Sequence, residues 1–167
     1  QNSTSIEKIN FDYSKFPSII IISDSKKIIN TYYPGSEDLY LEQTLKNPPI
    51  FFLNNWLIKN IKHIFSENNF VINIQKASII KKEIPNIDKN KYSDPNILSF
   101  VLEFEVEYNL YNDFNFLMAT TFVKAKRTTT SSKNISLEQS EQIVEKLISE
   151  CLDELTSKSH ELISLHM

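Results

Sequence analysis

The clearest pattern in the chain is an alternation of apolar and polar residues from Ser99 to Tyr108, interrupted only by Val101. Glutamates occupy three of the polar positions, and the apolar positions are Phe100, Leu102, Phe104, Val106 and Tyr108. A period of two is typical of a β-strand that has one face on a hydrophobic core and the other in solvent. The pattern therefore predicts a half-buried strand in the middle of the chain.

A second strand is predicted from Phe116 to Lys126, after a turn at Asn112-Asp113. Alternation assigns small and apolar residues to its core face: Leu117, Ala119, Thr121, Val123 and Ala125. The register that fits both strands puts the glutamates of the first strand beside Lys124 and Lys126. The polar residues 128–134 are predicted to be a connection.

Two amphipathic helices are predicted, because apolar residues recur at spacings of three and four. The first follows Asn47-Pro48-Pro49, where asparagine can cap a helix and proline is tolerated in the first turn. Its apolar face includes Ile50, Leu53, Trp56, Leu57, Ile61, Ile64 and Phe65, and Asn68-Asn69 is predicted to end it. The second helix begins at the capping-box pattern of residues 136–139 and buries a stripe from Ile143 to Leu155.

Runs rich in isoleucine predict further strands. Ser18 to Ile22 reads as a strand buried on both faces, Ile28 to Tyr33 as a second, and Phe70 to Ile74 as a third that continues towards Ile80. Residues 83–95 are predicted to be a surface loop. We expect an α+β fold, with a mixed or antiparallel sheet of about four to five strands and two amphipathic helices packed on one face. Residues 16–167 would form this single domain, and residues 1–15 an N-terminal tether or extended segment.

The composition excludes several classes of binding site but does not identify a function. With 167 residues, 41% of them hydrophobic and 23% charged, the chain fits one globular domain. A net charge of -3 gives no general attraction to nucleic acid or to anionic lipid. Gly35 is the single glycine, which excludes the glycine-rich loops of nucleotide-binding sites and nucleophile elbows.

The residues that most often carry chemistry form no site in the sequence. Carboxylates two residues apart on a strand are separated by about 7 Å, so the glutamates of the alternating strand are expected to be a solvated, lysine-paired face. The three histidines lack neighbours at metal-ligand spacing. Cys151 falls on the apolar stripe of the last helix, where a buried thiol is expected. No catalytic residue, cofactor or metal site is predicted.

The predicted turn is unusual because it is surrounded by aromatic residues. Tyr111, Phe114 and Phe116 flank Asn112-Asp113, where polar residues are the rule. One interpretation is an exposed aromatic tip that contacts a partner, a lipid or another ligand. The other is that the rings fold back onto the helices as the rim of the core. We take these three residues as candidate partner-binding residues.

The order of elements resembles that of small Gram-negative envelope lipoproteins. The likeness covers about residues 48–163: a helix before "SENNFVI", the hairpin "FEVEYNLYNDFNFLMATTFVKAKR", and the helix "SLEQSEQIVEKLISECLDEL". YajG-like lipoproteins and the auxiliary lipoproteins of ABC-type envelope transporters are the most similar, and the lipopolysaccharide-assembly lipoprotein LptE is a more distant likeness. The lipid-bearing cysteine that these families share is not in this sequence.

The resemblance implies a non-enzymatic periplasmic domain, tethered to a membrane, that binds an envelope protein partner or a lipidic substrate. The membrane would be reached only through a lipid anchor ahead of Gln1, and no nucleic acid is expected as a ligand. The alternative that the residues leave open is a cytosolic or secreted interaction module, such as an effector domain, with the same α+β layout.

Overall fold

The computed structural model of the chain describes residues 11–35, 40–64, 67–87 and 94–167. These ranges contain helices and strands in an order that confirms the predicted α+β fold. In chain order they are β1 (Ile19–Ile22), β2 (Ser25–Asn30), α1 (Pro49–Asn60), β3 (Ile61–Ile64), β4 (Asn69–Pro85), β5 (Asn96–Tyr111), β6 (Leu117–Ser132) and α2 (Leu137–His166).

The main sheet of the described residues has the strand order β2-β4-β5-β6. Strand β2 runs parallel to β4, and the other pairs are antiparallel. At the centre of the sheet, Phe104 of β5 lies between Ala77 of β4 and Ala125 of β6. Small neighbours on both sides leave room above the sheet for the side chains of a helix.

Both helices contribute to the core that covers the apolar face of this sheet. Trp56 and Leu57 of α1 and Leu152 and Leu155 of α2 are fully buried in one cluster with the inward residues of β4, β5 and β6. Burying side chains of this size is worth roughly 1.5–3 kcal/mol each, so this contact dominates the stability of the fold. The three glutamates on the outward face of β5 remain half-exposed.

The start of α2 confirms the capping box. The Ser136 hydroxyl accepts from the Gln139 amide at 3.0 Å, and the Gln139 side-chain oxygen accepts from the Ser136 amide at 2.9 Å. Two N–H groups that the helix leaves unpaired are thereby satisfied. The sequence pattern was sufficient here because the interaction is local.

Helix α1 is shorter than predicted, and the expected stop at Asn68-Asn69 is wrong. The helix ends at Asn60, and residues 61–64 form β3, which pairs in parallel with β1. The ammonium group of Lys26 on β2 caps this end of the helix, since it donates to the carbonyls of Leu57 at 2.8 Å and Ile61 at 2.6 Å. A cation at the last carbonyls of a helix also interacts favourably with the helix dipole. Burial lowers the pKa of this amine.

Two strand predictions also need correction. Strand β1 is buried on one face only, because Ile20 and Ile22 point into solvent beside β3 instead of lying inside a larger sheet. Strand β6 extends to Ser132, where a polar connection was expected. Its polar end pairs with the first residues of β5, from Ile97 onward, so cross-strand hydrogen bonding overrides the polar composition.

Two predicted segments fall partly outside the described residues. Of the N-terminal tether, residues 1–10 lie outside them, whereas Tyr13–Lys15 form a short 3-10 helix in which Tyr13 is buried. Of the loop predicted at residues 83–95, residues 88–93 lie outside, and β4 continues through Pro85.

A buried hydrogen bond between Tyr108 of β5 and Ser159 of α2 offers a test of how the last helix is held. The two hydroxyls are 2.8 Å apart and both residues are fully buried. We expect Tyr108→Phe and Ser159→Ala each to lower the free energy of unfolding by about 1–2 kcal/mol, because each leaves a buried hydroxyl unpaired. The double variant should lose less free energy of unfolding than the two single variants lose together, as measured by urea denaturation. Strictly additive losses would contradict the pairing.

Candidate binding surface at the hairpin tip

The turn between β5 and β6 is built around the side chain of Asn112. Its amide oxygen accepts from the backbone N–H groups of Phe114 and Phe116, at 2.9 Å each. The Asn112 N–H donates to the Phe116 carbonyl at 2.9 Å, and its carbonyl accepts from Asn115 at 3.1 Å. Asn115 has φ 62°, a left-handed conformation that asparagine tolerates well. The turn is therefore fixed by four hydrogen bonds to one residue.

This turn directs aromatic side chains away from the core. Phe114 is 75% exposed and Phe116 is 70% exposed, while Tyr111 is half-buried on the outer face of the sheet, opposite Leu117. Phe114 and Phe116 do not fold back onto the helices, so the exposed-tip interpretation describes their position. Whether the three residues bind a partner remains a prediction.

A bulge beside the turn places two apolar residues in solvent: Met118, which the alternation assigned to the outer face, and Leu117, which it assigned to the core face. The register of β5 and β6 shifts between Leu110 and Tyr111, so Met118 becomes an extra residue on β6. Leu117, expected on the core face, is instead 52% exposed, and Met118 is 55% exposed. A bulge reverses the side chains on one side of it, and nothing in the local sequence marked its position. We call Tyr111, Phe114, Phe116, Leu117 and Met118 the hairpin tip.

Two of the three glutamates of β5 form ion pairs on the outer face, and the third, Glu107, accepts from the Asn109 side chain at 2.8 Å, so the three do not form a convergent site. Glu105 lies opposite Lys124 in the register, and their charged groups are 3.4 Å apart, as the sequence predicted. Glu103 lies opposite Lys126, yet its ion pair is with Lys76 of β4, at 3.2 Å. Pairs of this exposure contribute roughly 0–1 kcal/mol each, and they neutralise the carboxylates.

The cysteine and the potential metal ligands among the described residues do not form a catalytic or metal site either. Cys151 is fully buried, and burial raises the pKa of its thiol to about 12, so it stays protonated. Among the described residues, no group of three or more histidine, cysteine or acidic side chains is placed to hold a metal ion. Neither helix in the described ranges is both long and apolar enough to cross a membrane.

An apolar groove lies between the start of α1 and the first half of α2. Its volume is about 250 Å³, and it is lined mainly by Leu45, Phe52, Val144 and Ile148, with Glu141 among the rim residues. Ligand pockets usually occupy roughly 300–1,000 Å³, so the groove is small for an acyl chain or a drug-sized molecule. The hairpin tip is the better candidate for a binding surface.

Comparison with known proteins gives a distant likeness of fold. The sequence matches no protein-family model and no curated protein. Among solved structures, it is similar to a minor lipoprotein from Acinetobacter baumannii at 13% identity and a TM-score of 0.46, over 87% of this chain and 93% of that one. It is also similar to the rare lipoprotein B from Shewanella oneidensis at 11% identity and a TM-score of 0.42, over 85% and 98% respectively. Scores at this level do not establish a family.

The exposure of the hairpin tip predicts that its phenylalanines contribute little to stability. We expect Phe114→Ser and Phe116→Ser to change the free energy of unfolding by less than about 0.5 kcal/mol, because neither ring leaves water on folding. Phe104→Ala, at the centre of the sheet, should cost about 3–5 kcal/mol in the same urea titration. A comparable loss at the tip and in the core would show that the tip rings are core residues after all.

Proposed function

We propose that this chain is a non-enzymatic, envelope lipoprotein-type domain in the periplasm of a Gram-negative bacterium, and that it binds a partner protein through the hairpin tip. The observation that carries this proposal is the pair of exposed rings, Phe114 and Phe116, on a turn fixed by Asn112. Exposed aromatic clusters are typical of binding hot spots, and a turn that is already ordered loses little entropy on binding.

The ionisable residues support binding over catalysis. Glu103 and Glu105 of β5 are paired with lysines on the outer face of the strand, and Glu107 accepts a hydrogen bond from Asn109, so each carboxylate already has a partner. The thiol of Cys151 stays protonated inside the core, so it is a poor nucleophile. These residues stabilise the domain and leave the hairpin tip as its functional surface.

The order of elements supports an envelope location. An amphipathic helix ends just before a strand, and a hairpin leads through a polar connection into a long last helix, as in the lipoproteins that the sequence resembles. On this proposal the domain acts as an adaptor for a transport or assembly system and reaches the membrane through a lipid anchor ahead of Gln1. Its scaffold is the helix-covered sheet, and its contact surface is the hairpin tip.

Site-specific crosslinking tests the contact. A photoreactive phenylalanine analogue at position 114 of the full-length protein, expressed in its own bacterium, should yield one discrete protein adduct. The same analogue in place of Tyr33, an aromatic residue that is 84% exposed and follows the opposite edge strand, should not yield that adduct. Phe116→Ser should lower the adduct yield at position 114 about tenfold or more, as expected for a hot-spot residue.

Equal adducts at positions 114 and 33 would contradict a specific tip contact. An adduct at position 114 that contains lipid but no protein would replace the proposed partner protein with a lipidic ligand.

Cell fractionation tests the location independently of the contact. The full-length gene product should be recovered with the envelope and should incorporate labelled palmitate, because stable anchoring of such a domain requires acyl chains. A product that is unlabelled and confined to the cytosol would favour the alternative, a cytosolic interaction module. The crosslinking result would still define its contact surface.

A further inference from the structure

The apolar groove between the start of α1 and the first half of α2 has room for a single apolar side chain. Phe52, Val144 and Ile148 line it and are nearly fully buried, and Leu45 is half-buried beside them. An apolar cavity of about 150 Å³ is large enough to hold a benzene molecule. The volume of the groove, about 250 Å³, is therefore sufficient for a phenylalanine or leucine side chain, although it is small for a whole drug-sized ligand.

The α2 side of this groove is acidic. Glu141 and Glu145 lie one turn apart on α2 and both line the groove, and Glu138 precedes them as an exposed residue of the same helix. Within the described ranges, neither Glu141 nor Glu145 has an ion pair with a cation. Lys46 is the one cation among the lining residues. The groove therefore carries a net negative charge beside an apolar interior.

A further cation near this part of α2, Lys15, is occupied elsewhere. Its ammonium group donates to the Ser149 hydroxyl at 2.9 Å. It also lies 5.3 Å from the ring centre of Phe11 and 5.2 Å from that of Phe16, where cation–π attraction holds it. The two glutamates of the groove are therefore available to a cation from outside.

Leu137 continues the apolar surface beyond the end of the groove. It is the first residue of α2 and is 77% exposed. Residues four and seven apart share one side of a helix, so Leu137 lies in a row with Glu141 and Val144. The capping box uses the residues on either side of it, so the cap does not require a leucine here. Apolar and acidic positions thus lie next to each other along this side of α2.

We propose that this groove binds a short basic segment of another protein. One phenylalanine, tryptophan or leucine side chain of that segment enters the groove, and lysine or arginine side chains on either side of it pair with Glu141 and Glu145. An apolar anchor flanked by charged positions is a common mode of peptide recognition. This inference goes beyond the proposed function, because it adds a second contact surface that shares no residue with the hairpin tip.

Charge complementarity favours a basic segment over other occupants. A second copy that paired through the same surface would bring the glutamates of both copies together, because a two-fold interface uses one patch twice. An anionic lipid headgroup would be repelled by the same carboxylates. A basic segment instead gains opposite charges at the edge of the groove and buries its apolar side chain inside it.

The groove and the hairpin tip lie at opposite ends of the main sheet. Ile143 and Leu147 of α2 line one cleft with Thr128 and Thr129, near the end of β6. The second half of α2 lies closer to the turn, since Lys158 donates to the Lys124 carbonyl at 3.2 Å. Helix α2 therefore runs antiparallel to β6, and its first half is the part farthest from the hairpin tip. A contact surface at each end of the domain fits the role of an adaptor.

Synthetic peptides test the proposal with the full chain. Three fluorescent peptides carry a central phenylalanine, leucine or tryptophan, with alanine and then two lysines on each side. Fluorescence anisotropy should show saturable one-to-one binding of at least one of them. The double variant Glu141→Lys/Glu145→Lys should raise its dissociation constant about tenfold or more, because like charges then meet at the groove. The matched control Asp153→Lys/Glu161→Lys makes the same change of net charge at exposed positions further along α2 and should leave the constant unchanged.

Two changes test the apolar anchor separately from the charges. Leu45→Trp, at a half-buried position, should fill the groove and weaken peptide binding about tenfold, with urea denaturation as the check that the variant folds. Replacing the central residue of the peptide with alanine should weaken binding of the unmodified chain to the same degree.

Failure of all three peptides to bind would overturn the proposal. So would binding that the charge reversal or the alanine anchor leaves unchanged, or equal binding of peptides with glutamate in place of lysine. Self-association or binding to anionic vesicles that Leu45→Trp abolishes, without peptide binding, would assign the groove to a second copy or to a lipid instead.

Discussion

The register of the central strand β5 is the constraint on which the rest of the molecule depends. Its alternate residues lie in the core, and the glutamates between them lie outside. A slip of one residue against β4 or β6 would bring the glutamates into the core and the phenylalanines into water. Burial of an unpaired carboxylate is so costly that the hydrophobic pattern excludes every slip by an odd number of residues against either neighbour. The docking of α2, through Tyr108, is fixed at the same time.

That register also determines which side chains are exposed at the hairpin tip. Strands β5 and β6 hold their inward alternation up to Leu110, where the bulge interrupts it. Beyond the bulge Leu117 turns outward, and the hydrogen bonds of Asn112 complete the reversal of the chain. The exposed apolar surface therefore results from a β-bulge and an ordered turn, and not from an irregular loop. Its side chains therefore project from a backbone that is already ordered.

Local patterns made much of the fold predictable from the sequence. The alternation of β5 and the capping box at Ser136 depend on neighbouring residues, and both were predicted. The strand β3 was not, because Ile61 and Ile64 fit a helical spacing equally well, and their pairing with β1 is a contact between distant parts of the chain. The outward position of Leu117 depends on a bulge, and the hydrogen bonds from Glu154 and Lys158 to the backbone of β6 join two elements that no local pattern relates.

The hydrogen bonds from Glu154 and Lys158 of α2 to the edge of β6, together with the hairpin tip, explain how a chain with an exposed strand edge limits its associations. A 16-residue edge strand with free backbone groups along its whole length would invite uncontrolled strand addition. The cation of Lys158 and the carboxylate of Glu154 occupy those groups near the middle, at a place where α2 overlies the strand. On the side of the turn, the segment that stays open is too short to build an extended sheet by itself, and it lies next to a rigid aromatic turn. Association at this end of the sheet is thus confined to partners that match a few defined positions, which is the basis of a selective contact.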